Sequence, residues 1–256
     1  MTPATEAILF IGAGLLSGFI NTLASSGSAV TLPLMILMGI PAPIANGTNR
    51  LPLLVGGLSA VLTFHRAGVV DWRNGLVLSI PIVCGTAAGA ALASVLNAET
   101  MGWAVIAAVI AAFILLVSNP KRFLRDAAPG GPRISWATAG VFVAIGLWAG
   151  FIVLDAGTYM LLGLVVLVGY DLIRANAIKN LLVIWISLVS LIVFSVDREV
   201  NWRVAVFLSV GSALGSWAGG LLGTKAWAKV WVFRLLLVVI VAEILQLLHR
   251  FGIIRL

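Results

Sequence analysis

The 256 residues are 61% hydrophobic and only 10% charged, whereas soluble globular domains carry about 25% charged residues. This composition excludes a soluble domain and predicts an α-helical, multi-pass membrane protein. The excess of seven positive charges falls between apolar segments rather than along one stripe, so it indicates basic membrane loops and no nucleic-acid partner.

Polar clusters divide the chain into ten apolar segments, which we predict to be helical. In chain order they are 5–24, 28–40, 44–64, 75–96, 101–118, 135–154, 157–170, 175–196, 203–223 and 228–249. A helix needs roughly 20 apolar residues to cross the hydrocarbon core. Segments 28–40 and 157–170 are shorter, so we predict that they are broken or re-entrant helices. Each follows a glycine-containing break, SSGS at 25–28 and DAGT at 155–158.

The second half of the chain repeats the first half at a shift of 130 residues. Matched pairs are Gly27 with Gly157, Asn46 with Asn176, Phe64 with Phe194, Trp72 with Trp202, and Gly85 with Gly215. With a two-residue adjustment, GLLSGFI at 14–20 also meets GLWAGFI at 146–152. A register kept through loops and apolar segments alike indicates a fused duplicate of a five-segment unit. We predict a first membrane repeat at 1–118, a cytoplasmic linker at 119–134 and a second membrane repeat at 135–256.

The basic residues predict how the repeats lie in the membrane. With the N-terminus outside, the linker falls inside with four basic residues, and loops 65–74 and 171–180 fall inside as well. Loop 197–203 is an exception, because it carries two arginines outside, accompanied by two acids. Five segments per half give the halves opposite orientations. Inverted repeats with interrupted helices are typical of secondary transporters, whose site lies near the midplane where the repeats meet.

Two polar motifs, ANGTNR at 45–50 and ANAIKN at 175–180, each open a long apolar segment. Ionisable residues at membrane depth cost roughly 2.5–3.5 kcal/mol each, so their cations are functional candidates. Residues three and four apart share a helix face, and amides gathered around a cation suit an oxyanion such as sulfite, sulfonate or carboxylate. The substrate-binding residues predicted here are Asn46, Thr48, Asn49, Arg50, Asn176, Lys179 and Asn180. Alternatively, Arg50 and Lys179 extend to the membrane interface while Asn46 and Asn176 cap helices.

The two glycine breaks form the second candidate element. A half-helix that begins at membrane depth directs unpaired N–H groups towards an anion, and we expect two such ends to define one pocket. The substrate-binding residues predicted here are Ser25, Ser26, Gly27 and Ser28, with the serines as caps, and Gly157 and Thr158. The alternative is an ordinary turn in a helical hairpin.

Asp155 has no acidic counterpart in the first half and lies between two apolar runs. It is a candidate proton carrier for coupled transport, or it caps segment 157–170.

Several kinds of chemistry are not expected of this chain. It has no P-loop, G-x-S-x-G or H-E-x-x-H pattern, which argues against an enzyme and against ATP-driven transport. His65 and His249 are far apart without clustered carboxylates or cysteines, so we expect no metal and no cofactor. The single Cys84 excludes a disulfide framework, and we expect it to be a small buried apolar side chain.

The motifs resemble those of the TauE/SafE sulfite exporter family, also called the toluene-sulfonate uptake permease family. The residues that carry the resemblance are SSGSAVTLPLM at 25–35, Gly39, ANGTNR at 45–50, FHRAGVVDWR at 64–73 and GTAAG at 85–89. The resemblance implies a carrier of the cell inner membrane that exports sulfite or organosulfonates such as sulfoacetate, coupled to protons. One departure is that serines surround a single Gly27, where many members have consecutive glycines, and this leaves the substrate open.

Two alternatives from other functional classes remain at this stage. One is a non-transporting membrane protein that assembles or stabilises a partner complex, and the other is an anion channel. The expected partners are a small anionic substrate and the lipid bilayer, with homo-oligomerisation left open.

Overall fold

The computed structural model describes residues 2–93, 131–152, 156–225, 227, 230–235, 237–238 and 241. Within these residues the bounded helices are α1 Pro3–Ala24, α2 Ser28–Leu37, α3 Ala42–Thr48, α4 Arg50–Arg66, α5 Trp72–Ala93, α6 Trp136–Phe151, α7 Ala156–Leu162, α8 Leu172–Val196 and α9 Trp202–Gly223. Helix α7 continues as a π-helix over Gly163–Val168. The described part contains no strand, so the prediction of an all-α fold is confirmed. Segment 101–118, most of segment 228–249 and Asp155 lie outside the described residues.

Among the described residues, four helices are long and apolar enough to cross a membrane, namely α1, α5, α8 and α9. Helix α2, helix α6 and the combined α7 and π segment are apolar but shorter. The short segments after both glycine breaks therefore exist as predicted. Cys84 is exposed on α5, so the expectation that it is buried was wrong.

Local side-chain chemistry explains where several helices begin. Thr2, Ser135, Asp171 and Asn201 each precede a helix, and the side-chain oxygen of each accepts a hydrogen bond from a backbone N–H of the first turn. Such caps satisfy N–H groups that have no partner inside the helix. These four residues fix the starts of α1, α6, α8 and α9.

The predicted segment 44–64 is two helices, α3 and α4, which meet at Asn49. Its repeat copy in α8 is continuous. The difference follows from Pro52, which has no N–H to donate to the carbonyl of Thr48 four residues earlier. Leu182 stands at the matching place in α8 and keeps its N–H.

The helices pack in the order α1, α9, α4, α8, α5, α6, so each half contributes alternate partners. Helix α1 of the first half lies along α9 of the second, and α6 of the second half lies along α5 of the first. Glycines allow these backbones to approach closely, as in other membrane helix pairs. A Cβ on Gly215 would overlap the carbonyl oxygen of Leu15, and one on Gly85 would overlap that of Val143.

These contacts shift one part of the repeat alignment. Gly18 packs against the backbone of Ser212, and Gly146 packs against the backbone of Ile82, the residue that matches Ser212 in the repeat. Gly18 therefore corresponds to Gly146 in the structure. Aligning GLLSGFI with GLWAGFI instead pairs Gly14 with Gly146, which is one helical turn away. Equivalent helices of the sequence repeat make equivalent contacts. The opposite orientation of the halves in a membrane stays a prediction.

Candidate functional site

Arg50 begins α4 and is completely buried. Its Nη1 donates a hydrogen bond to the carbonyl oxygen of Ala149 at 2.7 Å, and its Nη2 donates to that of Gly150 at 3.2 Å. These carbonyls belong to the last turn of α6, where no backbone N–H of the helix remains to bond them. Asn46, one helical turn before Arg50, donates its Nδ2 to the carbonyl oxygen of Phe151 at 3.4 Å. Side chains of the first half thus donate hydrogen bonds to the free carbonyl oxygens at the end of a second-half helix.

Three further contacts hold the Arg50 guanidinium. Nη2 donates to Oδ1 of Asn46 at 3.1 Å, and Nη1 approaches Oγ of Ser190 at 3.4 Å. The guanidinium carbon also lies 5.1 Å from the centre of the Phe194 ring, a cation–π geometry. Nε of Arg50 is buried and has no hydrogen-bond partner.

Lys179 has the same arrangement in the other half. It is completely buried in α8, and its Nζ donates to the carbonyl oxygens of Asn21 at 2.6 Å and Thr22 at 3.2 Å. Both carbonyls lie in the last turn of α1, the negative end of the helix dipole, where a cation is stabilising. Each half therefore supplies a buried cation to the end of the other half's first helix.

These contacts contradict the alternative interpretation of the polar motifs, while substrate binding by their residues stays a prediction. The prediction that Arg50 and Lys179 extend to the membrane interface is wrong, because both side chains are 0% exposed. Helix capping by the asparagines is wrong too, since Asn176 lies inside α8 and Asn46 lies inside α3. Asn180 donates its Nδ2 to the backbone oxygen of Asn176 at 2.9 Å.

The other two polar residues of the first motif, Asn49 and Thr48, form hydrogen bonds with residues other than Arg50. Asn49 accepts a hydrogen bond from Oγ1 of Thr31 at 2.7 Å and donates one to Oγ of Ser28 at 2.9 Å, so it joins α2 to the start of α4. Thr48 accepts a hydrogen bond from the backbone N–H of Asn201. The predicted convergence of Asn46, Asn49 and Arg50 is therefore wrong for Asn49, because Asn49 turns towards α2.

The prediction that the serines of the first break cap α2 was wrong. The cap position is Gly27, and no side chain accepts from the first turn. Ser25 instead ends α1 with a left-handed backbone, φ 72°. Gly27 folds back against α1, where its carbonyl oxygen accepts a hydrogen bond from Oγ of Ser17 at 2.8 Å. Ser26 and Ser28 are buried beside it.

The two breaks meet through Ser25 and Gly157. A Cβ on Gly157 would lie 2.5 Å from Cβ of Ser25. Thr158 follows on α7, and its Oγ1 is buried without a hydrogen-bond partner. The contact lies between the halves, so the structure brings both predicted breaks to one place, although Gly27 itself packs within its own half.

A small cavity lies at this contact. Its lining residues are Asn21, Ser25, Leu53, Ala156, Gly157, Met160, Val183, Ile186 and Ser187. The space available to a water centre is about 10 Å³, room for about one water molecule. The cavity between the described residues is therefore too small for a larger molecule.

Sequence reasoning missed Asn21, Ser187 and Ser190. Asn21 carries an amide side chain near the end of an apolar helix, which was a usable signal. The serines lie three apart in α8, but isolated serines are common in membrane helices and gave no signal. No group of three or more His, Cys, Asp or Glu that could hold a metal occurs within the described ranges.

A polar contact joins two loops at one end of the bundle. Tyr170 donates its hydroxyl to Oδ2 of Asp71 at 2.7 Å, and Asn74 donates both its backbone N–H and its Nδ2 to the same carboxylate. Burial alone would raise the pKa of Asp71, but the hydrogen bonds from Tyr170 and Asn74 outweigh it and hold that pKa below its ordinary value. Burial and the Asp71 carboxylate raise the pKa of Tyr170.

The chain is similar to one family of proteins over most of its length. The model of the sulfite exporter TauE/SafE family matches residues 10–247. The chain is 28% identical over 247 residues to a probable membrane transporter protein, ORF9, of a Sinorhizobium species, covering 94% of this chain and 92% of that protein. It is 29% identical over 212 residues to a probable membrane transporter protein of Haemophilus influenzae, covering 82% of each. It is 27% identical over 222 residues to the probable membrane transporter protein YfcA of Escherichia coli K12, covering 86% of this chain and 81% of that protein.

No solved structure matches the chain significantly. The family match spans nearly the whole chain, and the apolar helices have the length and composition of membrane spans. The chain is a multi-pass membrane protein and belongs to the TauE/SafE sulfite exporter family of membrane transporters.

Proposed function

We propose that this chain is a secondary transporter of the cell inner membrane that exports small sulfur oxyanions or organosulfonates, such as sulfite and sulfoacetate, coupled to the proton gradient. The observation that supports it most is the pair of completely buried cations, Arg50 and Lys179, at the junction of the two halves. Within the described ranges neither cation forms an ion pair.

Buried positive charge is costly unless it is compensated. Backbone carbonyls supply partial negative charge to Arg50 and Lys179, but a full counter-charge would compensate them better. A small anion that enters between the halves provides it, and the unpartnered Nε of Arg50 is a free donor for such an anion. The same cations bind helix ends of the opposite half, so anion binding and movement of one half against the other involve the same groups.

The proposed substrate-binding residues are those of both motifs and both breaks. They are Ser25, Ser26, Gly27, Ser28, Asn46, Thr48, Asn49, Arg50, Gly157, Thr158, Asn176, Lys179 and Asn180. Asp155, which lies outside the described residues, is proposed as the proton carrier.

The test is flux in liposomes that contain the purified protein. We expect the wild type to move sulfite or sulfoacetate, faster under an imposed pH gradient and slower with a protonophore. Arg50→Ala should abolish flux because it removes the cation and its contacts with α6. Arg66→Ala, an exposed cation at the end of the same helix, is the matched control and should retain flux. Unchanged flux in Arg50→Ala would refute the site, and no flux of either anion by the wild type would refute the function.

A further inference from the structure

The cavity at the Ser25–Gly157 contact contains two hydroxyl groups that have no hydrogen-bond partner. Oγ of Ser25 and Oγ of Ser187 are both buried and both lack a hydrogen-bond partner. Ser187 is 0% exposed and Ser25 is 4% exposed. Buried polar groups are nearly always hydrogen-bonded, so two exceptions lining one cavity require an explanation. A ligand that accepts hydrogen bonds there provides one.

The residues that line the cavity are of two chemical kinds. Asn21, Ser25 and Ser187 are polar. Leu53, Met160, Val183 and Ile186 are apolar. A ligand that matches this lining carries hydrogen-bond acceptors and a short apolar group.

Both buried cations have neighbours in the lining of the cavity. Val183 is four residues after Lys179 and Leu53 is three residues after Arg50, so each cation stands one helical turn from the lining on its own helix. Lys179 also bonds the backbone of Asn21, which is itself a lining residue. The acceptor group of the ligand is therefore expected to be anionic.

We propose that this cavity is the substrate pocket and that it selects organosulfonates with a short aliphatic substituent over sulfite and sulfate. The inference rests on the proposed transport of sulfur oxyanions. The sulfonate oxygens accept hydrogen bonds from Ser25 and Ser187, and the aliphatic group lies against Leu53 and Met160. The cavity holds only about one water molecule, so binding requires its lining residues to separate at the Ser25–Gly157 contact.

Binding to the full chain in detergent tests the proposal, with ethanesulfonate, sulfite and sulfate as ligands. We expect ethanesulfonate to bind about tenfold more tightly than sulfite, because its two carbon groups leave water. Ser187→Ala and Ser25→Gly should each weaken ethanesulfonate binding about tenfold, since each removes one hydrogen bond to a charged group. Glycine suits the left-handed backbone of Ser25.

A purely structural role predicts a different pattern. Because the Ser187 hydroxyl has no partner when the pocket is empty, Ser187→Ala should leave the melting temperature of the unliganded protein unchanged or raise it. Ser209→Ala is the control, because its hydroxyl bonds only the carbonyl of Ala205 in its own helix, and it should bind ethanesulfonate like the wild type.

The flux assay separates this inference from the proposed function. If the wild type transports sulfite while Ser187→Ala and Ser25→Gly bind ethanesulfonate normally, the pocket is wrong and the function stands. Equal or tighter binding of sulfite would overturn the selectivity. If the wild type transports neither anion, both proposals fall.

Discussion

At the scale of single residues, Arg50 and Lys179 perform the same task with different chemistry. Arginine presents five donors in a planar fork, whereas the lysine ammonium is a compact point charge with three donors. Arg50 accordingly reaches two carbonyls, one amide and one hydroxyl. Lys179 reaches two adjacent carbonyls. The two cations bind the ends of corresponding helices, but Lys179 stands one residue before Asn180, the repeat match of Arg50, and it holds fewer acceptors.

This difference predicts the effect of Arg50→Lys. The ammonium keeps the charge but cannot bond all four acceptors, so carbonyls at the end of α6 lose their partner. We expect the free energy of unfolding to fall by about 2 kcal/mol, measured by thermal or denaturant unfolding in detergent. Arg66→Lys at the exposed end of α4 is the matched control and should change little. Equal stability of Arg50→Lys and the wild type would show that the several hydrogen bonds of the guanidinium do not stabilise the fold.

Gly157 permits the two breaks to touch, and its substitution tests that contact. Alanine there places a Cβ 2.5 Å from Cβ and 2.8 Å from Oγ of Ser25, so the halves must separate slightly. We expect Gly157→Ala to lower stability by about 1–3 kcal/mol, the usual range for overpacking, and to reduce sulfite flux in liposomes. Gly12→Ala serves as the control because nothing lies within 4 Å of its added Cβ. Normal stability and flux in Gly157→Ala would show that the breaks do not close on each other.

At the scale of helices, the crossings α1–α9 and α5–α6 depend on glycines. Gly215 meets the Leu15 backbone and Gly85 meets the Val143 backbone. Backbone cannot move aside as a flexible side chain can, so an added methyl group must push the helices apart. Because these glycines match in the repeat, the same change should have the same consequence in both places.

We therefore expect Gly85→Ala and Gly215→Ala to destabilise the protein by similar amounts, about 1–3 kcal/mol each. Thermal unfolding and the yield of folded protein in detergent are the measurements. Gly140→Ala on α6 is the control, since open space surrounds its added Cβ. A large effect at one crossing and none at the other would mean that the two pairs are not equivalent.

The loop contact between Asp71 and Tyr170 predicts a dependence of stability on pH. The pKa of the Asp71 carboxyl is lower in the folded protein than its ordinary value of 3.8. The stability it contributes is therefore present above pH 4 and is lost as the pH falls through the lower folded pKa. Asp71→Asn should melt at a lower temperature than the wild type at pH 7, and the difference should shrink towards pH 3.

Tyr170→Phe removes a hydrogen bond to the same carboxylate and should reproduce part of this behaviour. A difference between Asp71→Asn and the wild type that stays constant from pH 7 to pH 3 would contradict this account.

The helices were largely predictable from the sequence, and the partners of the cations were not. Apolar length and polar breaks located most helix ends within a few residues, and the spacing of Asn46 and Arg50 correctly placed them together. The carbonyls that bind Arg50 and Lys179 belong to distant backbone, which no residue type in the sequence reveals. Similarly, the burial of Cys84 was mispredicted because an apolar segment does not show which face meets other helices.

At the scale of the whole molecule, each half is completed by the other. Helix α6 ends on Arg50 of the first half, and α1 ends on Lys179 of the second half. A half alone lacks the acceptors for its buried cation and the donor for the carbonyls at the end of its first helix. This argues that the halves fold as one unit. These contacts between the halves place both cations and both breaks where the halves meet. In carriers built from two repeats, the substrate site lies at that interface.

Opposite orientation of the halves in the membrane gives the last prediction. Ala67 and Asp197 occupy matching positions after α4 and α8, and both are exposed. Inverted repeats place them on opposite sides of the membrane, with Ala67 inside and Asp197 outside. In a Cys84→Ala background, a membrane-impermeant maleimide applied to spheroplasts with an intact inner membrane should label Asp197→Cys, and should label Ala67→Cys only after permeabilisation. Labelling of both from outside would show that the repeats are parallel, and the alternating movement of inverted halves would then be excluded.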